Sequence, residues 1–180
     1  IVGDEKNDAD DIDLDLKVSY KPQYLKSVDK TVRQVLLAVT KNLYKSYYQT
    51  DVLEPLELEG LLEHKVSELS GGELQRVAIA ECLSREADIY FLDEPSAYLD
   101  VEQRLIVAKM IRKKMENEKK SAMVIDHDIG FVDYISDKIM VFSGEPSVSG
   151  KAGKPLDMKE GMNDFLSDMN ITFRRDEETK

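Results

Sequence analysis

The sequence contains no tryptophan, one cysteine, two histidines and five prolines in 180 residues. With Cys82 alone, an internal disulfide framework and a cysteine-held metal cluster are both excluded. Long apolar runs are missing too. The longest, Val35 to Val39, falls far short of the roughly 20 residues that a membrane-spanning helix needs. No charged and then apolar leader opens the chain, so a soluble, cytoplasmic protein without membrane attachment is expected. Positive charge is scarce as well, with 25 Lys and Arg against 36 Asp and Glu for a net charge of -11. That balance matches nucleic-acid phosphates poorly: direct DNA binding is not expected, and any RNA contact needs a local basic patch.

What is present suits one globular unit. Hydrophobic residues at 42% and charged residues at 34% exclude a collagen-like or wholly disordered chain. The sequence opens on Ile1 rather than Met and runs at once into the acidic stretch Asp4 to Asp15, a solvated loop in a chain expected to be a piece of something longer. Leu14, Leu16 and Val18 alternate with polar residues, the pattern of a half-buried strand leading to Pro22. Val32, Val35, Leu36, Val39 and Leu43 recur at helical spacing, and Val52 to Leu62 continues as short helical pieces broken by Pro55 and Gly60.

Beyond Leu69 helices and strands alternate. Ile89–Leu92, Ala122–Ile125 and Ile139–Phe142 are short apolar runs that suit strands buried on both faces. Gly71–Ser84, Val101–Asn117 and Ile129–Ser136 are the helices before and between them. An α/β fold with a parallel sheet covered by helices follows. Ser143–Pro155 has the composition of a loop, Met158–Met169 resumes as a helix, and Thr172–Lys180 is expected to fray.

Several local patterns carry chemistry. Ser70 and Glu73 form an S-x-x-E capping box, and Gly71 and Gly72 between them leave the backbone N–H groups of a helix start open to an anion. Without more, this is an ordinary well-capped helix. The apolar run Ile89–Leu92 ends in Asp93-Glu94-Pro95, which places two acids at the carboxyl edge of a parallel sheet, where open α/β folds bind ligands. Asp100 with Gln103 repeats the capping pattern for the next helix. That helix carries Lys109, Arg112, Lys113, Lys114, Lys119 and Lys120 at or near its end, either a solvated face or a contact for RNA or protein. Cys82 suits a small buried apolar position within its helix.

The order of these patterns resembles the ATP-binding-cassette (ABC) ATPases. Leu69 to Gln75 is similar to the signature motif of that family, which implies that Ser70, Gly71, Gly72, Glu73 and Gln75 hold a nucleotide bound on an opposing domain. Asp93 resembles the Walker B carboxylate for Mg²⁺, and Glu94 the general base. Gln23 resembles the Q-loop glutamine, touching both Mg²⁺ and the lytic water, and Ser96, Ala97, Tyr98, Leu99 and Asp100 resemble the D-loop at the interface of two cassettes. His127 resembles the switch histidine that donates to the γ-phosphate.

Val18 to Gln23, Leu69 to Ala80, Asp93 to Leu105, and Gly161 to Leu166 with Ile171 to Asp176 narrow the resemblance to subfamily E, the ribosome-recycling ATPases also called RNase L inhibitors. The resemblance implies an ABC-type P-loop NTPase core with a helical subdomain carrying the signature. Residues 1–180 would be part of a second nucleotide-binding domain, with the helical subdomain at about 27–84, the sheet core at about 14–26 and 85–145, and a C-terminal segment at 146–180. It implies ATP and Mg²⁺ as cofactors, and iron–sulfur clusters only in a further domain. The implied partners are the first cassette of the same protein, the ribosome, and termination or initiation factors.

One departure stands out: no G-x-x-x-x-G-K-[ST] occurs, since Gly150 to Pro155 has neither its spacing nor its hydroxyl. The phosphate cradle is expected upstream, and the isolated chain is expected to be inactive. The rival readings are a transporter cassette and a non-catalytic interaction module such as a nuclease inhibitor.

Overall fold

Three stretches of chain ending in Lys21, Asp93 and Ile125 are each only four or five residues long, and their pairing organises the first of two units. The computed structural model describes residues 16–23, 28–145 and 148–168. The acidic stretch, the start of the first expected strand at Leu14, and the segments from Met169 onward lie outside the described residues. The chain forms two compact units, residues 1–127 and 128–180.

In the first unit β1 (Val18–Lys21) is followed by α1 (Val32–Val39), whose Thr31 and Gln34 form a capping box. A short helix α2 (Ser46–Tyr48) runs into a single π-turn over Gln49–Leu53, and 3-10 turns occupy Glu59–Leu61 and Val66–Glu68. The helical pieces expected over Val52 to Leu62 are thus mostly turns, because Pro55 cannot donate to a helical ladder and Glu57 takes a left-handed φ of 51°. Leu53, Leu56 and Leu58 are nonetheless buried, so this stretch is packed although it is not regular. Then come α3 (Gly71–Ser84), β2 (Ile89–Asp93), α4 (Val101–Glu118) and β3 (Ser121–Ile125).

The sheet has the order β1-β2-β3 and is parallel throughout. Its register aligns Lys21 with Leu92 and Leu92 with Val124, so the carboxyl ends of all three strands lie at one edge. α3 packs on β1 and β2, and α4 packs on β3. Strands added in sequence order with right-handed connections put both helices on one face. Burial therefore alternates: Ser19, Lys21, Tyr90 and Leu92 are buried, while Val18, Tyr20 and Ile125 are exposed. The expectation of strands buried on both faces is corrected for this reason.

In the second unit α5 (Ile129–Ile135) is capped by Asp128, whose carboxylate accepts from the Phe131 amide. Here the apolar run Ile139–Phe142 is not one strand of the parallel sheet. It divides into β4 (Lys138–Ile139), paired antiparallel with β7 (Leu156–Asp157), and β5 (Phe142–Glu145), paired antiparallel with β6 (Ser149–Ala152). The expected loop Ser143–Pro155 thus contains all of a hairpin but its first residue, Phe142, because partners only a few residues away close at little entropic cost. Helix α6 (Met158–Asp168) packs on β4 and β7.

Gly161 makes that packing possible, since a Cβ there would lie 2.9 Å from Cβ of Ile139. Gly161→Ala is expected to destabilise this unit by about 1–3 kcal/mol, more than the ~1 kcal/mol that alanine gains in a helix. Hydrogen exchange in 138–168 measures it: faster exchange in the variant is the expected result, and unchanged protection contradicts it.

Candidate nucleotide-hydrolysis site

Because the three parallel strands end together, the residues just beyond them meet. Gln23 lies two positions past β1, Glu94 one past β2, and His127 two past β3. Nε2 of Gln23 donates to Oε1 of Glu94 at 2.8 Å. Nε2 of His127 lies 2.8 Å from the same oxygen. The imidazole is 86% exposed and the Glu94 side chain 20%, so an accessible group and a largely covered carboxylate face each other at one mouth. A carboxylate in contact with an amide and an imidazole is suited to take a proton from a water and to hand it on.

The Glu94 main chain is held as firmly. Its φ is 47°, in the left-handed region that costs an L-residue about 1–2 kcal/mol. Its amide donates to the Ile125 carbonyl at 2.7 Å, joining the end of β2 to the end of β3. Its carbonyl accepts from Nε2 of Gln75 at 2.7 Å, from the Ala97 amide at 3.3 Å and from Nζ of Lys21 at 3.4 Å.

Lys21 is itself buried at the end of β1. Its ammonium donates to the carbonyls of Asp93 at 2.6 Å and Pro22 at 3.2 Å, so one cation ties the exit of β1 to the exit of β2. Burial pulls its pKa down to about 8, and the charge of Asp93 is the main opposing influence. Ser96 makes a comparable tie: its amide and hydroxyl donate to the two carboxylate oxygens of Asp126 at 2.9 and 2.6 Å. The turn after Glu94 is thereby fastened to the residue preceding His127.

At the start of α3 the capping box is complete. The Ser70 amide and hydroxyl donate to Oε2 of Glu73 at 2.8 and 2.7 Å, and the Glu73 amide donates to the Ser70 hydroxyl at 3.4 Å. The hydroxyl hydrogen bond, followed by the backbone one, holds the Glu73 carboxyl below its ordinary value. Ser70 and Gly71 are exposed and Gly72 half-buried, with Tyr98 packed beside them. A Cβ on Gly72 would come within 3.0 Å of the Tyr98 carbonyl, so the close approach of the two segments needs glycine there.

Most of the residues singled out in the sequence thus gather in two places, the strand edge and the α3 start with its neighbouring turn. Gln75 departs from expectation. It is 1% exposed and bonded to the Glu94 carbonyl, turned into the protein because it shares the inner face of α3 with Ile79 and Cys82. Within Ser96–Asp100, Ser96 and Leu99 are buried, while Tyr98 (78% exposed, φ 61°) and Asp100 are at the surface. The carboxylate of Asp100 caps α4 through the Gln103 amide at 2.8 Å.

The basic residues of α4 largely meet carboxylates: Arg112 with Glu116, Lys114 with Glu118, Lys113 with Asp51, and Lys120, just beyond the helix, with Asp88. That is the arrangement of a solvated, paired face. Sequence reasoning did not find Lys21 or Asp126. The period of two that buries Ser19 also buries Lys21, and Asp126 directly precedes His127, so both signals were present.

The fold is of the P-loop NTPase class, with a parallel sheet whose carboxyl edge brings Gln23, Glu94 and His127 together beside a capped, glycine-opened helix. The chain belongs to the ABC ATPase family, the family described as ABC transporter matching residues 1–97, and within it to the E subfamily. An uncharacterised ABC transporter ATP-binding protein of Methanocaldococcus jannaschii is 57% identical over 166 residues, 92% of this chain and 28% of the relative. Translation initiation factor RLI1 of Saccharomyces cerevisiae is 45% identical over 163 residues, 89% of this chain and 27% of that protein. Among solved structures, an archaeal ribosome recycling factor in complex with an archaeal ribosomal stalk protein superimposes with a TM-score of 0.88 at 51% identity, covering 97% of this chain and 34% of that one. The chain therefore spans under a third of the length of these curated relatives.

Two expected outcomes test this account. Lys21→Met leaves the Pro22 and Asp93 carbonyls without their buried donor and is expected to cost about 1–3 kcal/mol in urea denaturation; an unchanged midpoint contradicts the tie. Glu73, whose pKa is depressed on folding, contributes stability that is present above its ordinary value of 4.5 and is lost as pH falls through the lower folded value. The stability difference between the wild type and Glu73→Gln should therefore shrink as pH falls below 4.5, and a difference independent of pH in that range would refute this.

Proposed function

We propose that the chain is the C-terminal part of the second ATP-binding cassette of a ribosome-recycling factor, which uses ATP binding and hydrolysis to split ribosomal subunits and also acts in initiation. The observation that carries the reading is the meeting of Gln23 and His127 on one oxygen of Glu94, each at 2.8 Å. The names of the relatives, an initiation factor and a ribosome recycling factor, support the partner class.

In this mechanism Gln23 orients the attacking water and Glu94 accepts its proton as the water oxygen bonds to the γ-phosphorus, while the bond from that phosphorus to the β,γ-bridging oxygen breaks and ADP leaves. His127 donates a hydrogen bond to the γ-phosphate, where negative charge accumulates in the transition state. Among the described residues no three His, Cys, Asp or Glu cluster for a metal. A hard cation that prefers one or two carboxylates and takes its remaining oxygens from phosphates and water fits such a site. Asp93 and the amide oxygen of Gln23 would hold Mg²⁺, the Gln23 nitrogen being engaged by Glu94. When bound, Mg²⁺ would neutralise phosphate charge.

Ser70, Gly71, Gly72 and Glu73 would serve a nucleotide on the first cassette of the same protein, so this chain holds parts of two half-sites. Ser96–Asp100 would line the contact between the cassettes. A phosphate-binding loop, absent from these 180 residues, would come from further chain, as would an iron–sulfur domain. For that reason the isolated chain should not hydrolyse ATP. The ribosome and termination or initiation factors are the proposed partners, and the cytoplasm the proposed compartment.

Glu94→Gln in the full-length protein tests the reading. ATP should still bind, hydrolysis should fall by about 10²–10⁴-fold, and the protein should accumulate on ribosomal subunits in sedimentation assays. Undiminished hydrolysis, or ribosome association indifferent to ATP, would sink it.

A further inference from the structure

The signature helix and the proposed catalytic carboxylate are joined inside this one domain by a single side chain. Gln75 stands in the second turn of α3, five residues after Ser70, with its amide nitrogen 2.7 Å from the Glu94 carbonyl oxygen. Its burial to 1% exposure removes competing water from that hydrogen bond. α3 is anchored along its length by buried Val77, Ile79, Ala80 and Leu83, so the place of Gln75 is set by the seating of the whole helix.

At the other end of the bond Glu94 is in the left-handed region, with its amide committed to Ile125. The direction in which a side chain leaves the backbone depends on φ and ψ. Whatever fixes the Glu94 peptide therefore aims Oε1 at Gln23 and His127, and a glutamate without such restraint relaxes toward negative φ.

We propose that Gln75 is a positioning residue for Glu94, coupling the seating of the signature helix to the aim of the carboxylate. The inference rests on the ATPase reading above and deepens it. A nucleotide on the opposing cassette presses on the start of α3, and the displacement reaches the carboxylate of this cassette's own site through the Gln75–Glu94 hydrogen bond. Gln75 does not touch nucleotide itself. Lys21 and Ala97 hold the same carbonyl from the sheet side and from the following turn, and Gln75 alone of the three belongs to α3.

The experiment compares ATP hydrolysis by the full-length protein as wild type, Gln75→Met, Glu94→Gln and the double variant. Methionine keeps the length of the side chain and removes the donor. Gln75→Asn, which keeps the amide but falls short of the carbonyl, is the second variant should the methionine protein fail to fold. Either single Gln75 variant is expected to lose about 10-fold or more in kcat with KM for ATP unchanged within about twofold, and the double variant to be no slower than Glu94→Gln alone. A wild-type kcat, a loss carried by KM, or losses that multiply in the double variant would each overturn the inference. If Glu94→Gln itself hydrolyses ATP normally, it is the ATPase reading that fails.

Discussion

The main chain of Glu94 is the constraint on which the site depends. Its amide is held by β3, and its carbonyl by a lysine from β1, a glutamine from α3 and the amide of the following turn. Four parts of the first unit thus converge on the main chain of one residue, whose conformation an unrestrained glutamate would leave. The left-handed φ is a local cost of about 1–2 kcal/mol, small against the several hydrogen bonds that oppose relaxation. The result is a carboxylate aimed by its backbone.

The parallel register explains why such an arrangement forms here. In a parallel sheet the three strand ends fall at one edge, whereas an antiparallel neighbour would send its carboxyl end away. Gln23, Glu94 and His127, some 70 and 33 residues apart in the chain, become neighbours solely because Lys21, Leu92 and Val124 lie in register. Outside the sheet, the same edge is tightened by Ser96 on Asp126 and by Tyr98 against the glycines that open α3. The strand edge and the helix start are therefore parts of one connected structure.

Much of this was legible from residue types. The capping boxes and caps at Ser70, Asp100 and their helices depend on interactions three residues apart, and the structure reproduces them. Strands β2 and β3 are read correctly because their apolar runs are uninterrupted. The run Ile139–Phe142 misled for the same reason: hydrophobicity says that a residue seeks cover, not which strand covers it, and here the nearby segment 149–157 did so. Gln75 misled because its place in a motif says nothing about which way a helix is turned about its axis. Its rotation is set by the apolar stripe of α3 against β1 and β2.

What the sequence determined alone is whatever is decided within a few residues: helix starts, apolar strands, the acids that close β2, and the order of motifs that marks an ABC ATPase. Tertiary structure decided the rest. It put both crossover helices on one sheet face, turned Gln75 and Lys21 inward, and brought two distant side chains onto one oxygen of a third. Those outcomes depend on register and on which surfaces bury one another, and these are collective properties of the packed chain that no short stretch of residues contains.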